Sequence, residues 1–262
     1  MLMAEFDGLR LHYRIDGDPN GVPLVFANSL GTDLRLWDKV VALMPPGLKI
    51  LRYDMRGHGL SDAPPAPYAM GALVRDLERL MDHVGFRDAV LVGLSIGGMV
   101  AQGLAVKRLD LLRGLVLSNT GAKIGTKDMW LQRIEALEQS GVEGLADAVI
   151  ERWFPPTFRA SVECAAWRSM VARTPLDGYA GCSAALAGTD FYATTATLRL
   201  PAMGIAASED RVTPPDLVRE TLDLIPGSRF ELIRGAGHLP CVDQPEAYAA
   251  ILTRFLAGIG HI

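Results

Sequence analysis

The sequence predicts an α/β fold: a mostly parallel β-sheet flanked by helices on both faces, with a helical insertion after the sixth strand. Three observations carry this. Short, β-branched apolar runs alternate with segments of helical spacing along most of the chain. One such run, Ala89-Val90-Leu91-Val92, leads into Gly93-Leu94-Ser95-Ile96-Gly97, a match to G-x-S-x-G, and then into a helix-like run with small residues at Gly98, Ala101 and Ala105. Between residues 119 and 197 the alternation lapses into helical patterns only, and it resumes afterwards.

Taken in order, residues 6–15 read as a hairpin with Asp7-Gly8 as its turn. Residues 24–27 form a buried strand, followed at once by Asn28-Ser29-Leu30-Gly31. A short helix over 37–43 and a strand over 49–53 precede a Gly- and Pro-rich loop, DMRGHGLSDAPPAP. Leu73, Leu77, Leu80 and Val84 give residues 70–84 helical spacing. After the Ser95 strand–helix pair comes a strand over 112–117. Helices are expected over 130–137, 144–154, 162–173 and 179–187. The alternation then returns with a strand at 202–206, a helix at 216–224, a strand at 229–233 and a last helix at 246–257. Residues 1–120 and 200–262 thus form the core, and 121–199 a helical cap.

Composition bounds the function. In 262 residues, 49% hydrophobic and 21% charged, there is material for one large core of a soluble protein. A net charge of −4 leaves no electrostatic footprint for nucleic acid or an anionic membrane, so an anionic substrate needs a local cation. Cys164, Cys182 and Cys241 are odd in number and lack C-x-x-C spacing, which fits a reducing, cytoplasmic compartment. The opening MLMAEFDGLRLHY reads as a strand and lacks the features of a signal peptide. The uncharged run 89–106 approaches membrane-spanning length, but four glycines, Ser95 and Gln102 interrupt it.

The chemistry centres on Ser95. In a G-x-S-x-G turn the glycines relieve clashes around a strained serine, and the following helix aims its free N–H groups at charge developing there. A serine hydroxyl needs a base, itself oriented by a third group. Asp210 follows the 202–206 strand in ASEDRVTPP, and His238 follows the 229–233 strand in RGAGHLP. Glu209 is the alternative acid, and His58 in RGHG is the one rival base. Ser, Asp, His is the order of the α/β-hydrolase arrangement, and all three fall at the carboxyl ends of strands. The oxyanion donors expected there are the N–H of Ile96 and one from the loop after an early strand, Leu30. Neither a metal-ligand cluster nor a phosphate-cradling glycine loop is found, so no cofactor and no metal are expected.

Together ANSLGTDLRLWD, RYDMRGHGLSDAP, GLSIGGMVAQGLA, LVLSNTGAKIG, ERWF, SEDRVTPP and GAGHLPCVDQPEAY resemble the 3-oxoadipate enol-lactone hydrolases, α/β-hydrolases of bacterial aromatic-compound catabolism. The resemblance runs over nearly the whole chain and is weakest over 160–198. Asn-Ser-Leu-Gly in place of the more widespread His-Gly start favours this subgroup. Ala207 departs from the family, which usually has glycine ahead of its acid. The resemblance implies a cofactor-free enzyme that opens an enol-lactone, a small-molecule substrate, by way of an acyl-enzyme on Ser95. A broad carboxylesterase or perhydrolase on the same scaffold, and a slow-turnover ligand receptor, are the alternatives. The oligomeric state is not readable.

In the insertion, Trp130, Arg133, Ile134 and Leu137 share one helix face, with Gln132, Glu135 and Glu138 largely on the other. Arg133 is therefore a cation on an apolar side. There it either meets a substrate carboxylate or snorkels to water. Arg152 and Arg173 are the other cap arginines open to the carboxylate role. Trp130 and Trp153 are either core residues or walls of the substrate site.

Overall fold

The computed structural model describes residues 1–262. Its element order is β1 (Leu2–Phe6), β2 (Leu9–Gly17), β3 (Val22–Ala27), α1 (Asp38–Leu43), β4 (Leu48–Tyr53), α2 (Met70–Val84), β5 (Ala89–Leu94), α3 (Ile96–Lys107) and β6 (Leu112–Ser118). The helical stretch follows: α4 (Lys127–Trp153), α5 (Pro156–Arg159), α6 (Val162–Ala172), α7 (Leu176–Ala187) and α8 (Tyr192–Thr195). The chain closes with β7 (Ala202–Ala207), α9 (Pro215–Asp223), β8 (Arg229–Ile233), α10 (Pro240–Asp243) and α11 (Pro245–Gly258).

Asp7 and Gly8, both at positive φ, make the β1–β2 turn, as the Asp-Gly pair predicts. The eight strands form one sheet in the order β1-β2-β4-β3-β5-β6-β7-β8. β1, β2 and β4 are joined antiparallel, and from β4 to β8 all pairs are parallel. β5 is buried at every position because it lies mid-sheet with helices on both faces. From β3 the chain moves outward to β4, and from β5 it moves the other way. The crevice beyond the ends of β3 and β5 is thus the topological switch point where open α/β sheets hold their ligands.

α2 keeps the bounds that its leucine spacing predicts, and Gly85, at φ 72°, closes it in the left-handed conformation. In α4 the helical path breaks at Gly141, at φ 69° and ψ 176°. This break separates the two helices expected over 130–137 and 144–154. The short helices α5, α8 and α10 carry too few turns to leave a periodic signal. Trp130, Leu137, Val149, Trp153, Tyr179 and Leu186 from the insertion join the same apolar cluster as the sheet. No helix is long and apolar enough to cross a membrane.

Candidate active site

Ser95 stands between β5 and α3 at φ 58° and ψ −120°. A non-glycine residue adopts this only where its surroundings hold it. Here its N–H donates to the Ser118 carbonyl (3.0 Å), and the Thr120 hydroxyl donates to its carbonyl (2.7 Å). The flanking glycines are sterically required. A Cβ on Gly93 would lie 2.3 Å from the Gly97 carbonyl oxygen, and one on Gly97 would lie 2.3 Å from that of Ala27. The elbow therefore packs against the end of β3, and this brings the Asn28–Gly31 loop beside the serine.

That loop is fastened at both ends. Asn28 donates through Nδ2 to the Tyr53 carbonyl (2.7 Å) and accepts from Trp37 Nε1 (2.8 Å). Gly31 donates its N–H to His58 Nε2 (2.9 Å), while His58 Nδ1 donates to the Arg56 carbonyl (3.1 Å). With its own proton on Nδ1, the ring is a pure acceptor toward the loop. Burial holds the His58 pKa below its ordinary value, which keeps it neutral in that role. His58, the rival base, is thus tied to the Asn28–Gly31 loop and is not part of the wall around Ser95. Leu30 borders the serine's cavity, and its N–H has no hydrogen-bond partner in the fold. Ile96 opens α3, so its N–H has no intrahelical partner.

Asp210 and His238 meet as their spacing predicts. His238 Nδ1 lies 2.9 Å from Asp210 Oδ2, with both side chains buried. Asp210 also accepts from Asn119 Nδ2 (2.9 Å), the Thr213 hydroxyl (2.7 Å) and the N–H groups of Val212 (2.7 Å) and Thr213 (3.0 Å). Burial alone would raise its pKa, but the charge of His238 and these hydrogen bonds outweigh it and hold the carboxyl below its ordinary value. It stays ionised and orients the imidazole. Glu209 is exposed. Ala207 ends β7 fully buried, and the Asp210 N–H donates to its carbonyl (3.2 Å), so the turn accepts alanine where the resemblance has glycine. The His238 loop is held by two more contacts: its N–H donates to the Trp153 carbonyl (2.7 Å), and the Gly237 N–H to Asp243 Oδ2 (2.8 Å). Burial pushes the Asp243 pKa up to about 6, against the pull of that N–H.

Ser95 and His238 line one cavity together with Leu30, Trp130, Arg133, Arg152, Trp153 and Tyr179. Both tryptophans are buried in the apolar cluster and also line this cavity. Arg133 reaches in over the Trp130 ring, 5.8 Å from its centroid, and donates weakly to the Tyr179 hydroxyl at 3.5 Å. Gln132, Glu135 and Glu138 face solvent, as the helical phase predicts. Arg173 lies elsewhere, in an open cleft shared with His12, Arg35 and Asp54. No group of three or more His, Cys, Asp or Glu side chains is gathered as a metal site requires.

Sequence reasoning missed Asn119, Thr213, Asn28 and Asp243 as supports of the site, and, having set His58 aside as a base, gave it no other role. Only Asn119 left a usable signal, being a polar residue at the end of the buried strand β6.

A serine on a strand–helix elbow, an imidazole oriented by a buried carboxylate, and free backbone donors beside them can carry out nucleophilic acyl transfer. The fold and this constellation define the class as a hydrolase. The model of the alpha/beta hydrolase family matches residues 24–251, and the chain belongs to that family. It is 32% identical to 3-oxoadipate enol-lactonase 2 of Acinetobacter baylyi, over 94% of each chain. Among solved structures it is similar to the enol-lactonase from Burkholderia xenovorans LB400, with TM-score 0.94, 35% identity and coverage of 98% of this chain and 100% of that one. A thermophilic esterase from Thermogutta terrifontis, solved with malate bound, superposes with TM-score 0.90 at 28% identity, covering 98% and 97% of the two chains.

Proposed function

We propose that the protein opens 3-oxoadipate enol-lactone to 3-oxoadipate by a Ser-His-Asp acyl-enzyme mechanism, as in bacterial aromatic-compound catabolism. Its enol-lactonase relatives support the substrate class. The observation that carries the reading is the single cavity that joins Ser95 and His238 to a guanidinium with no carboxylate partner, Arg133. Ser95 Oγ attacks the ring carbonyl as His238 Nε2 takes its proton. The N–H groups of Leu30 and Ile96 hold the oxyanion. The ring C–O bond then breaks, and the enol oxygen leaves with the proton from His238. Water, deprotonated by the same imidazole, releases the acyl chain from Ser95. A leaving oxygen that stays tethered would re-close the ring, but an enol escapes by becoming a ketone, and opening becomes effectively one-way. Residues 121–199 act as the cap that selects the substrate. Arg133 holds the free carboxylate between the walls of Trp130 and Trp153. The three buried, unbridged cysteines support a cytoplasmic setting.

The test compares wild type with Arg133→Ala on the enol-lactone and on a neutral ester of similar size. A charge-assisted contact contributes about 1.5–3 kcal/mol, so kcat/KM for the lactone should fall about ten- to 150-fold while the neutral ester barely changes. Equal losses on both substrates would refute the carboxylate contact. Equal turnover of both by the wild type would favour the broad carboxylesterase suggested by the esterase relative.

A further inference from the structure

The cavity holds a second guanidinium. In one straight helix Arg133 and Arg152 would stand about 28 Å apart, at 1.5 Å per residue. The break at Gly141 folds the second half of α4 back, and both side chains line the wall that also contains Ser95. Neither is paired with a carboxylate. The acids of α4 that have ion-pair partners are engaged outside: Glu143 and Asp147 with Arg168, Glu151 with Arg211. No carboxylate lines the cavity, and Asp210 is committed to His238. Burial and the charge of Arg133 hold the Arg152 pKa below its ordinary value, against the opposing influence of Tyr179 and Asp210. Two cations that repel each other in a partly desolvated cavity are relieved by two negative charges.

We infer that Arg133 and Arg152 form a paired anion site, so that this cavity binds aliphatic dicarboxylates in preference to monocarboxylates of the same length. The inference rests on reading the cavity as the pocket of a carboxylate-bearing lactone. Such a lactone is a monoanion. Hydrolysis adds water across the ring ester bond and leaves a carboxylic acid at the carbon that Ser95 attacked. That acid loses its proton to solvent, and the product is a dianion. The site is therefore charge-matched to its product, and dicarboxylates inhibit it.

The experiment follows hydrolysis of p-nitrophenyl acetate, a neutral reporter, by the whole enzyme at pH 7.5 and fixed ionic strength, titrated with adipate or hexanoate. Adipate should inhibit competitively with a Ki about ten- to a hundredfold below that of hexanoate. Arg152→Gln should erase that advantage, and Arg152→Lys should keep much of it, which separates loss of charge from collapse of the cap. Equal Ki values in the wild type, or an adipate advantage that survives in Arg152→Gln, would overturn the inference. The two readings fail separately. An enzyme that opens the lactone with dependence on Arg133 yet shows no adipate advantage loses only the paired site. One that ignores the lactone yet shows an advantage removed by Arg152→Gln keeps the paired site and has another substrate.

Discussion

Replacing His58 by leucine tests how the Asn28–Gly31 loop, the proposed source of an oxyanion donor, is held. The ring is 1% exposed and accepts the Gly31 N–H at 2.9 Å. Leucine fills similar space but accepts nothing, leaving a buried N–H unsatisfied at a cost of about 1–3 kcal/mol. At about 2–4 °C per kcal/mol for a chain near this size, the melting temperature should fall by about 2–12 °C. The catalytic effect is separate. Gly31 follows the proposed donor Leu30, so loosening it misaligns one oxyanion donor, a loss of about a hundred- to a thousandfold in kcat with KM little changed. His58→Gln offers an amide oxygen to the same N–H and should recover most of both losses. The assay is kcat and KM for a neutral ester at 20 °C, normalised to folded protein measured by circular dichroism. If the leucine variant melts earlier but keeps its kcat, His58 supports the fold and does not position the donor.

Other expectations are more direct. Ser95→Ala should lower turnover by about a million-fold, leaving only what the oxyanion donors and binding contribute; appreciable residual activity would place the nucleophile elsewhere. Asp210→Asn should cost about ten-thousand-fold by leaving His238 in the wrong tautomer, whereas Glu209→Gln should be mild; the reverse ranking would move the acid by one residue. Asp243 makes a pH-dependent prediction. Its folded pKa, about 6, exceeds the unfolded value of about 3.9, so its contribution to stability is fully present below the unfolded value and is lost as pH rises through 6. Asp243→Asn removes that loss, worth at most about 3 kcal/mol, and its melting temperature relative to wild type should climb between pH 4 and pH 7 and then level off. A difference that stays flat across that range would exclude Asp243 as the titrating group.

The features legible in the sequence are those written in short-range pattern. The Asp7-Gly8 hairpin, the leucine spacing of α2 and the strand–elbow–helix around Ser95 each follow from residues within one or two turns of one another. Asp210 and His238 were legible because each sits a few residues past a recognisable strand, and the ends of parallel strands converge. Only the tertiary structure decided what depends on residues far apart in the chain. Asn119 reaches Asp210 across 91 positions and His58 reaches Gly31 across 27. A polar side chain in a loop carries the same local signature whether it is solvated or buried against such a partner. The strand order, with β4 between β2 and β3, depends on crossover connections that hydropathy does not encode. The charge of the cavity was decided in the same way. Two separate helices over 130–137 and 144–154 were legible in the sequence, but only the packing of α4 against α6 and α7 brought Arg152 round to face the same space as Arg133.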